Sequence, residues 1–144
     1  MYKVLMWEHN KDVIASFRAN GGKVAADVRP ALAKADVVLI GTTGARTGKK
    51  YVIPLVYFSL GDDFFVVGTA GGSTTTPSWC HNLRAHPDVE VERGTERYPG
   101  VAVLVEDADE RARLFAQAVE TMPAFGAYAE TAGRVIPVFV IRRR

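Results

Sequence analysis

The chain has 144 residues, of which 48% are apolar and 24% charged, with a formal net charge of +2 at pH 7. This length suits one hydrophobic core, and the composition excludes disordered, collagen-like and disulfide-rich classes. The small net charge gives no indication of nucleic-acid binding. The single cysteine, Cys80, cannot form an internal disulfide, and no segment approaches the roughly 20 apolar residues of a membrane span. We therefore predict one cytoplasmic domain over residues 1–144 and leave a peripheral membrane contact open.

The beginning of the chain predicts a helix over about residues 9–20. Val13, Ile14 and Phe17 recur at helical spacing, and Asn20-Gly21-Gly22 ends the pattern. A narrow apolar stripe of this kind is typical of a helix that lies across a sheet or covers a pocket.

Three apolar, β-rich segments follow at residues 37–42, 51–59 and 64–69, separated by polar loops. The second segment contains Pro54, which cannot donate to a β-ladder, so we expect an edge or a break there. A Gly/Thr-rich loop then leads to a helix with Thr76 as N-cap and Pro77 as its first residue.

The last third of the chain predicts a hairpin, a helix and a final strand. Residues 89–93 and 98–106 alternate as strands, and Asp107 caps an amphipathic helix that Pro123 ends. A short segment with Phe125 and Tyr128 precedes a strand over residues 135–141. Roughly six mostly antiparallel strands with flanking helices indicate a mainly β (α+β) fold, a small β-barrel.

The loop between the first two strands carries the clearest chemical signal. Residues 42–50 combine glycines and hydroxyls with Arg46, Lys49 and Lys50, which is typical of an anion-binding loop. The alternative is a solvated hairpin tip. No Ser or Thr follows Gly48-Lys49, so the loop is not a nucleotide-binding P-loop with a magnesium ligand.

Other candidate residues have structural explanations of equal or greater weight. The histidines and Cys80 lack metal-ligand spacing, so we predict no metal site. Cys80 is expected to fill the core. Tyr128 is a candidate proton donor and Trp79 a candidate wall for a planar cofactor, but either side chain can simply pack.

Several short motifs occur in a fixed order along nearly the whole chain: Gly44-x-Arg46-Thr47-Gly48, Pro54-Leu55, Gly71-Gly72, Pro77-x-Trp79-x-x-Asn82-Leu83-x-Ala85-x-Pro87 and Arg134-x-Ile136-Pro137-Val138. In this order they resemble the deazaflavin-dependent nitroreductase family. The resemblance implies a split β-barrel like that of FMN-binding proteins, and it implies binding of coenzyme F-420, a deazaflavin with a phosphate and an acidic oligoglutamate tail.

The resemblance also implies roles for individual residues. The phosphate and tail would lie at the basic loop, the deazaflavin ring along the second strand, and the ring or its ribityl chain near the Gly/Thr-rich loop. The following helix would close the groove, and Tyr128 would face the substrate side of the ring. The implied cofactor residues are Arg46, Thr47, Gly48, Lys49, Lys50, Ile53, Pro54, Leu55, Thr69, Ala70, Ser78, Trp79 and Asn82.

The first functional hypothesis is therefore an F-420-dependent oxidoreductase. It would transfer a hydride from the reduced deazaflavin to a small-molecule acceptor, namely a quinone, an activated alkene or a nitro compound. The alternatives are a non-catalytic deazaflavin carrier and an FMN-dependent reductase on the same barrel. The sequence leaves a homodimer open.

Overall fold

The computed structural model describes residues 2–144, with side chains from Asn10 onward. The helices are α1 (Tyr2–Ala19), α2 (Pro30–Ala33), α3 (Ser78–Ala85), α4 (Ala108–Thr121) and α5 (Ala124–Ala132), and a 3-10 turn spans Ala70–Gly72. The strands are β1 (Val37–Thr43), β2 (Lys50–Val56), β3 (Phe58–Leu60), β4 (Asp63–Val67), β5 (Asp88–Arg93), β6 (Glu96–Leu104) and β7 (Val138–Arg143).

The strands form one curled antiparallel sheet. Within residues 2–144 its seven strands follow the order β2-β1-β5-β6-β7-β4-β3, and every neighbouring pair is antiparallel. The two outermost strands, β2 and β3, are consecutive in the chain and separated only by Tyr57. This arrangement confirms the predicted barrel-like fold, with one strand more than the expected six.

Alternation along the strands buries both faces of the sheet. Val38 and Ile40 of β1 belong to the core inside the curl, whereas Val37 and Leu39 pack with Val13 and Phe17 of α1, as the predicted helical stripe requires. A third cluster joins the sheet to α4 and α5. The apolar run of β1 is continuous because it has a core on each side.

The predicted strand 51–59 is divided in the structure. Its first part, β2, is an edge strand in which Pro54 lies opposite Leu39, so the prediction from proline is confirmed. At Tyr57 the backbone N–H turns to the carbonyl of Asp36, and the chain leaves β2 for β3. The predicted last strand was also displaced: β7 begins at Val138, directly after Pro137, which lacks a donor.

Three helix predictions need correction. α1 begins at Tyr2 instead of near residue 9, since residues 2–9 contain no helix breaker. The short segment with Phe125 and Tyr128, for which no helix was predicted, forms α5, which Pro123 initiates after ending α4. Pro77, expected as the first helical residue, is instead the extended N-cap of α3. The Asp107 cap is confirmed, because its carboxylate accepts the Glu110 N–H at 2.8 Å.

Candidate functional site

The basic loop, residues 44–49, is a tight turn between β1 and β2. The Gly44 N–H donates to the Lys49 carbonyl at 2.8 Å, and the Gly48 N–H donates to the Gly44 carbonyl at 3.0 Å. A Cβ at Gly44 would lie 2.6 Å from Thr47 Oγ1, and Gly48 has a φ of +69°. Glycines at these two positions therefore let the loop close on itself.

Some side chains of the basic loop and its flanking residues form hydrogen bonds within the protein, and others do not. Thr47 Oγ1 accepts the Lys49 N–H at 3.2 Å, and Lys50 Nζ donates to Thr43 Oγ1 at 2.8 Å. Arg46 and Lys49 are exposed, and among the described residues their charged groups have no ion pair or hydrogen bond. These two cations are available to an anionic ligand, whereas Thr47 also shapes the loop.

Asn82 fastens the basic loop to α3. Its Oδ1 accepts a hydrogen bond of 2.9 Å from the backbone N–H of Ala45. The helix begins at the exposed Ser78, and no side chain caps its first turn. Asn82 is the fifth residue of α3, so its hydrogen bond joins the basic loop to the middle of this helix.

Trp79 and Cys80 lie in the core beneath this surface. Trp79 is 7% exposed, and its ring centroid lies 6.0 Å from that of Phe139, which favours packing over a role as a cofactor wall. Burial raises the pKa of Cys80 to about 12, although the charges of Arg134 and Arg84 partly oppose it. The thiol stays protonated at neutral pH, and its role as a core filler is confirmed.

The predicted ring-binding segment lies on the edge strand β2. Ile53 and Leu55 are half-buried against the core inside the curl, and Pro54 lies between them. No strand of the described chain pairs with the outer side of β2. Backbone groups along this edge can therefore contact a planar ligand.

The second predicted contact segment contains a left-handed turn. Thr69 is buried and Ala70 is exposed, and Ala70 has a φ of +47°, the one positive φ outside glycine among the described residues. Arg134 donates from one side to the carbonyls of Gly68, Thr69 and Ser73. No role was predicted for Arg134 from the sequence, although this residue belongs to one of the motifs that resemble the family.

Tyr128 lies against this turn. A Cβ on Gly72 would come within 3.2 Å of Tyr128 Cα and would also collide with Thr131 Oγ1. The Tyr128 ring is half-buried, 5.8 Å from that of Phe125, and its hydroxyl has no hydrogen-bond partner within the described part of the chain. The structure thus brings the predicted proton donor to the segment that holds Thr69 and Ala70.

Two open grooves lie away from these residues. A groove of about 390 Å³ lies between α3, α4 and the start of β7, and another of about 550 Å³ lies beside α1. None of the predicted cofactor residues lines either one. The predicted cofactor residues therefore lie outside both grooves, on the basic loop, β2, the 3-10 turn with the residue before it, and α3.

A curled antiparallel sheet with flanking helices is the architecture of the split-barrel class of proteins, which the sequence resemblance implied. The chain belongs to the F420H(2)-dependent quinone reductase family, whose model matches residues 10–143. It is 38% identical over 110 residues to an F420H(2)-dependent quinone reductase of Mycobacterium tuberculosis, covering 74% of this chain and 73% of that protein.

Solved structures agree with this assignment. An F420-H2 dependent reductase superposes with a TM-score of 0.67 at 36% identity, over 74% of this chain and 93% of the other. A structure described as a domain-swapped dimer gives the same TM-score and identity over 74% and 79% of the two chains. The predicted split-barrel fold is therefore confirmed. No helix within residues 2–144 is long and apolar enough to cross a membrane.

Proposed function

We propose that this protein is an F-420-dependent quinone reductase that uses the basic loop to hold the acidic end of the cofactor. Family membership defines the reaction class, and one observation carries the assignment of the site. Arg46 and Lys49 are exposed and unpaired within the described chain, on a loop that Asn82 ties to α3. Cations without protein partners suit a ligand that brings several negative charges.

The residues present fit the deazaflavin from its tail to its ring. Arg46 and Lys49 would pair with the phosphate and carboxylates, with Gly48 and Thr47 fixing the loop and Lys50 reaching from the start of β2. Ile53, Pro54 and Leu55 would contact the ring along the open edge of β2. Thr69, Ala70 and Ser78 would border the ring or its ribityl chain, and Trp79 would support this surface from the core.

When bound, the reduced cofactor supplies the hydride for the acceptor. The protein positions the two reactants and supplies a proton. We assign proton donation to the Tyr128 hydroxyl, because a phenol O–H can donate a proton and this hydroxyl has no competing partner among the described residues. Phe125, next to it, offers an apolar ring and no proton.

A titration of the purified protein with F-420 and with FMN, followed by fluorescence anisotropy at low and high salt, tests the cofactor assignment. We expect selective F-420 binding that weakens at high salt, because exposed ion pairs are screened. Arg46→Ala and Lys49→Ala should each weaken binding by about 5- to 30-fold, since one charged contact contributes roughly 1–2 kcal/mol.

Arg113→Ala is the matched control, because this exposed cation lies on α4, away from the basic loop. Preference for FMN would favour the alternative of an FMN-dependent reductase. Tight F-420 binding without turnover would favour the non-catalytic carrier. Equal effects of the Arg46 and Arg113 substitutions would return the basic loop to a solvated hairpin tip.

The wider acceptor range, oligomeric state and location remain predictions. Nitro compounds and activated alkenes are expected to be slower acceptors than quinones, and a steady-state comparison tests this. A homodimer is supported by the relative described as a domain-swapped dimer, and light scattering measures its mass. A cytoplasmic location and a peripheral membrane contact can be tested by fractionation and vesicle sedimentation.

A further inference from the structure

Arg134 lies between α5 and β7 and contacts both ends of the 3-10 turn. Its Nε donates to the Ser73 carbonyl at 3.1 Å, and its Nη2 donates to the carbonyls of Gly68 and Thr69 at 3.0 and 3.2 Å. Nη1 lies 3.4 Å from its acceptor, the carbonyl of Val135. All three guanidinium nitrogens are thus engaged by backbone, and the planar group spans the turn from the residue before it to the residue after it.

The turn that Arg134 spans has an uncommon backbone. Ala70, Gly71 and Gly72 all have positive φ values, of +47°, +63° and +87°. A left-handed conformation at a residue with a Cβ costs about 1–2 kcal/mol and persists only where surrounding contacts impose it. The contacts that impose it here come from Arg134 and from the direct packing of α5 on Gly72.

The same arrangement connects the turn to Tyr128. Thr131 Oγ1, one helical turn beyond Tyr128 on α5, lies within 3.3 Å of the Gly72 carbonyl. Arg134 follows the end of this helix after Gly133, a left-handed C-cap with a φ of +61°. α5 and the residues that follow it therefore contact the turn after Thr69 and also carry Tyr128, the side chain assigned to proton donation.

We propose that Arg134 is a positioning residue that fixes the left-handed turn at Thr69 and Ala70 relative to Tyr128. This inference rests on the proposed function, because the turn is the segment expected to border the cofactor. The planar guanidinium of Arg134 donates to carbonyls on both sides of the turn. A lysine ammonium at this position cannot reach both sides at once. In the proposed function the tail of the cofactor would lie at the basic loop, which is tied to Asn82 by a hydrogen bond that does not involve Arg134.

The test compares Arg134→Gln and Arg134→Lys with the wild type, and Arg84→Gln is the matched control. Arg84 is an exposed arginine whose charge also acts on Cys80, but it makes no hydrogen bond to the turn. Hydrogen exchange without any ligand is measured first. Both Arg134 variants should speed exchange at Gly72 and Ser73 at least about 10-fold and leave Ala45 and Gly48 unchanged, since local opening sets the exchange rate.

With F-420 at saturation, both Arg134 variants should lower kcat by about 10-fold or more, because small displacements of reacting groups are costly. The Kd of the cofactor should change less than about threefold, since the tail contacts remain. Thr131→Val keeps Arg134 and should also speed hydrogen exchange at Gly72. This variant replaces the Arg134 variants in the test if they do not fold. Full rescue by lysine, or unchanged exchange in Arg134→Gln, would overturn the proposal.

Failure of this inference can be told apart from failure of the proposed function. If the wild type neither binds nor oxidises reduced F-420, the proposed function is wrong. If the wild type is active and Arg134→Gln retains its kcat, the positioning role is wrong and the proposed function stands. A variant with a lower melting temperature and an unchanged kcat would show a purely structural arginine.

Discussion

The Asn82 side chain and the Ala45 backbone are joined by a hydrogen bond of 2.9 Å across 37 positions of sequence. This contact places α3 beside the basic loop and so unites two segments that the sequence could only assign separately. Glycines let the basic loop close on itself, and the hydrogen bond that the Asn82 side chain accepts ties the loop to the helix.

Asn82→Ala is therefore expected to weaken F-420 binding by about 3- to 10-fold, since an exposed hydrogen bond contributes roughly 0.5–1.5 kcal/mol. The melting temperature should change little, because the bond does not belong to the core. Gln117→Ala, which removes a similar bond to the Ser59 carbonyl elsewhere on the surface, is the control. A titration of both variants with F-420 tests this prediction. Equal affinities of the two variants for F-420 would show that Asn82 does not position the loop.

Tyr128→Phe should lower kcat about 10- to 1,000-fold if the phenol delivers the proton, a range near that of general acid catalysis. The Kd of F-420 should stay within about twofold, because the hydroxyl adds no charge to the tail site. Phe125→Leu, a neighbour without a proton, should change kcat much less. Unchanged kcat in Tyr128→Phe would assign the proton to water instead.

Gly72→Ala should destabilise the protein by roughly 2–4 kcal/mol, because the new methyl adds a collision to the cost of a left-handed alanine. The collision is with Thr131 Oγ1 and the Tyr128 backbone. Gly71→Ala is the matched control: φ is also positive there, +63°, but the methyl enters open space. Chemical denaturation should show about 1–2 kcal/mol for the control. Equal decreases in the free energy of unfolding of the two variants would mean that α5 does not pack tightly against the turn.

The ion pair between Arg18 and Glu92 should make the docking of α1 dependent on pH. Its two hydrogen bonds are 3.0 and 2.8 Å long, and the bond from Arg18 lowers the pKa of Glu92, although burial opposes the shift. Because the folded pKa is depressed, the stabilisation is present above the unfolded pKa of about 4.3 and is lost as pH falls through the folded value.

Glu92→Gln should therefore lower stability by about 1 kcal/mol or less at pH 7, since Arg18 is half exposed and the pair is partly screened. The difference from the wild type should shrink as pH falls below about 4. Melting curves of the wild type and Glu92→Gln between pH 7 and the acid range below about 4 test this prediction. Glu90→Gln, which removes the exposed ion pair with Arg97, is the control. A constant difference at every pH would show that the Glu92 charge is not the cause.

The sequence predicted the parts of the fold that depend on local pattern. The stripe of Val13 and Phe17, the edge strand at Pro54 and the cap at Asp107 follow from periodicity or from one residue's chemistry, and the structure confirms them. Helix α5 was missed because apolar and small residues beside Pro123 show no clear polar face, and its packing on Gly72 is a tertiary effect.

The same distinction applies to the candidate site. Arg46 and Lys49 stood out as cations in a glycine-containing loop, but the Asn82 and Arg134 contacts join residues 37 to 66 positions apart. The sequence did not distinguish a packing role for Trp79 from a cofactor contact. Its burial against Phe139 in the structure favours packing. Local chemistry predicted an anionic ligand at this loop, whereas long-range hydrogen bonds define how the segments come together.

The proposed reaction is hydride transfer from reduced F-420 to a quinone. Its most direct test is anaerobic mixing of the wild-type protein with reduced F-420 and a soluble quinone, with appearance of the oxidised deazaflavin followed by absorbance. We predict oxidation that requires both protein and quinone, saturates with each substrate, and slows in Tyr128→Phe. Tight binding of F-420 with no oxidation above the protein-free rate, for any quinone tested, would contradict the assignment and make the protein a carrier.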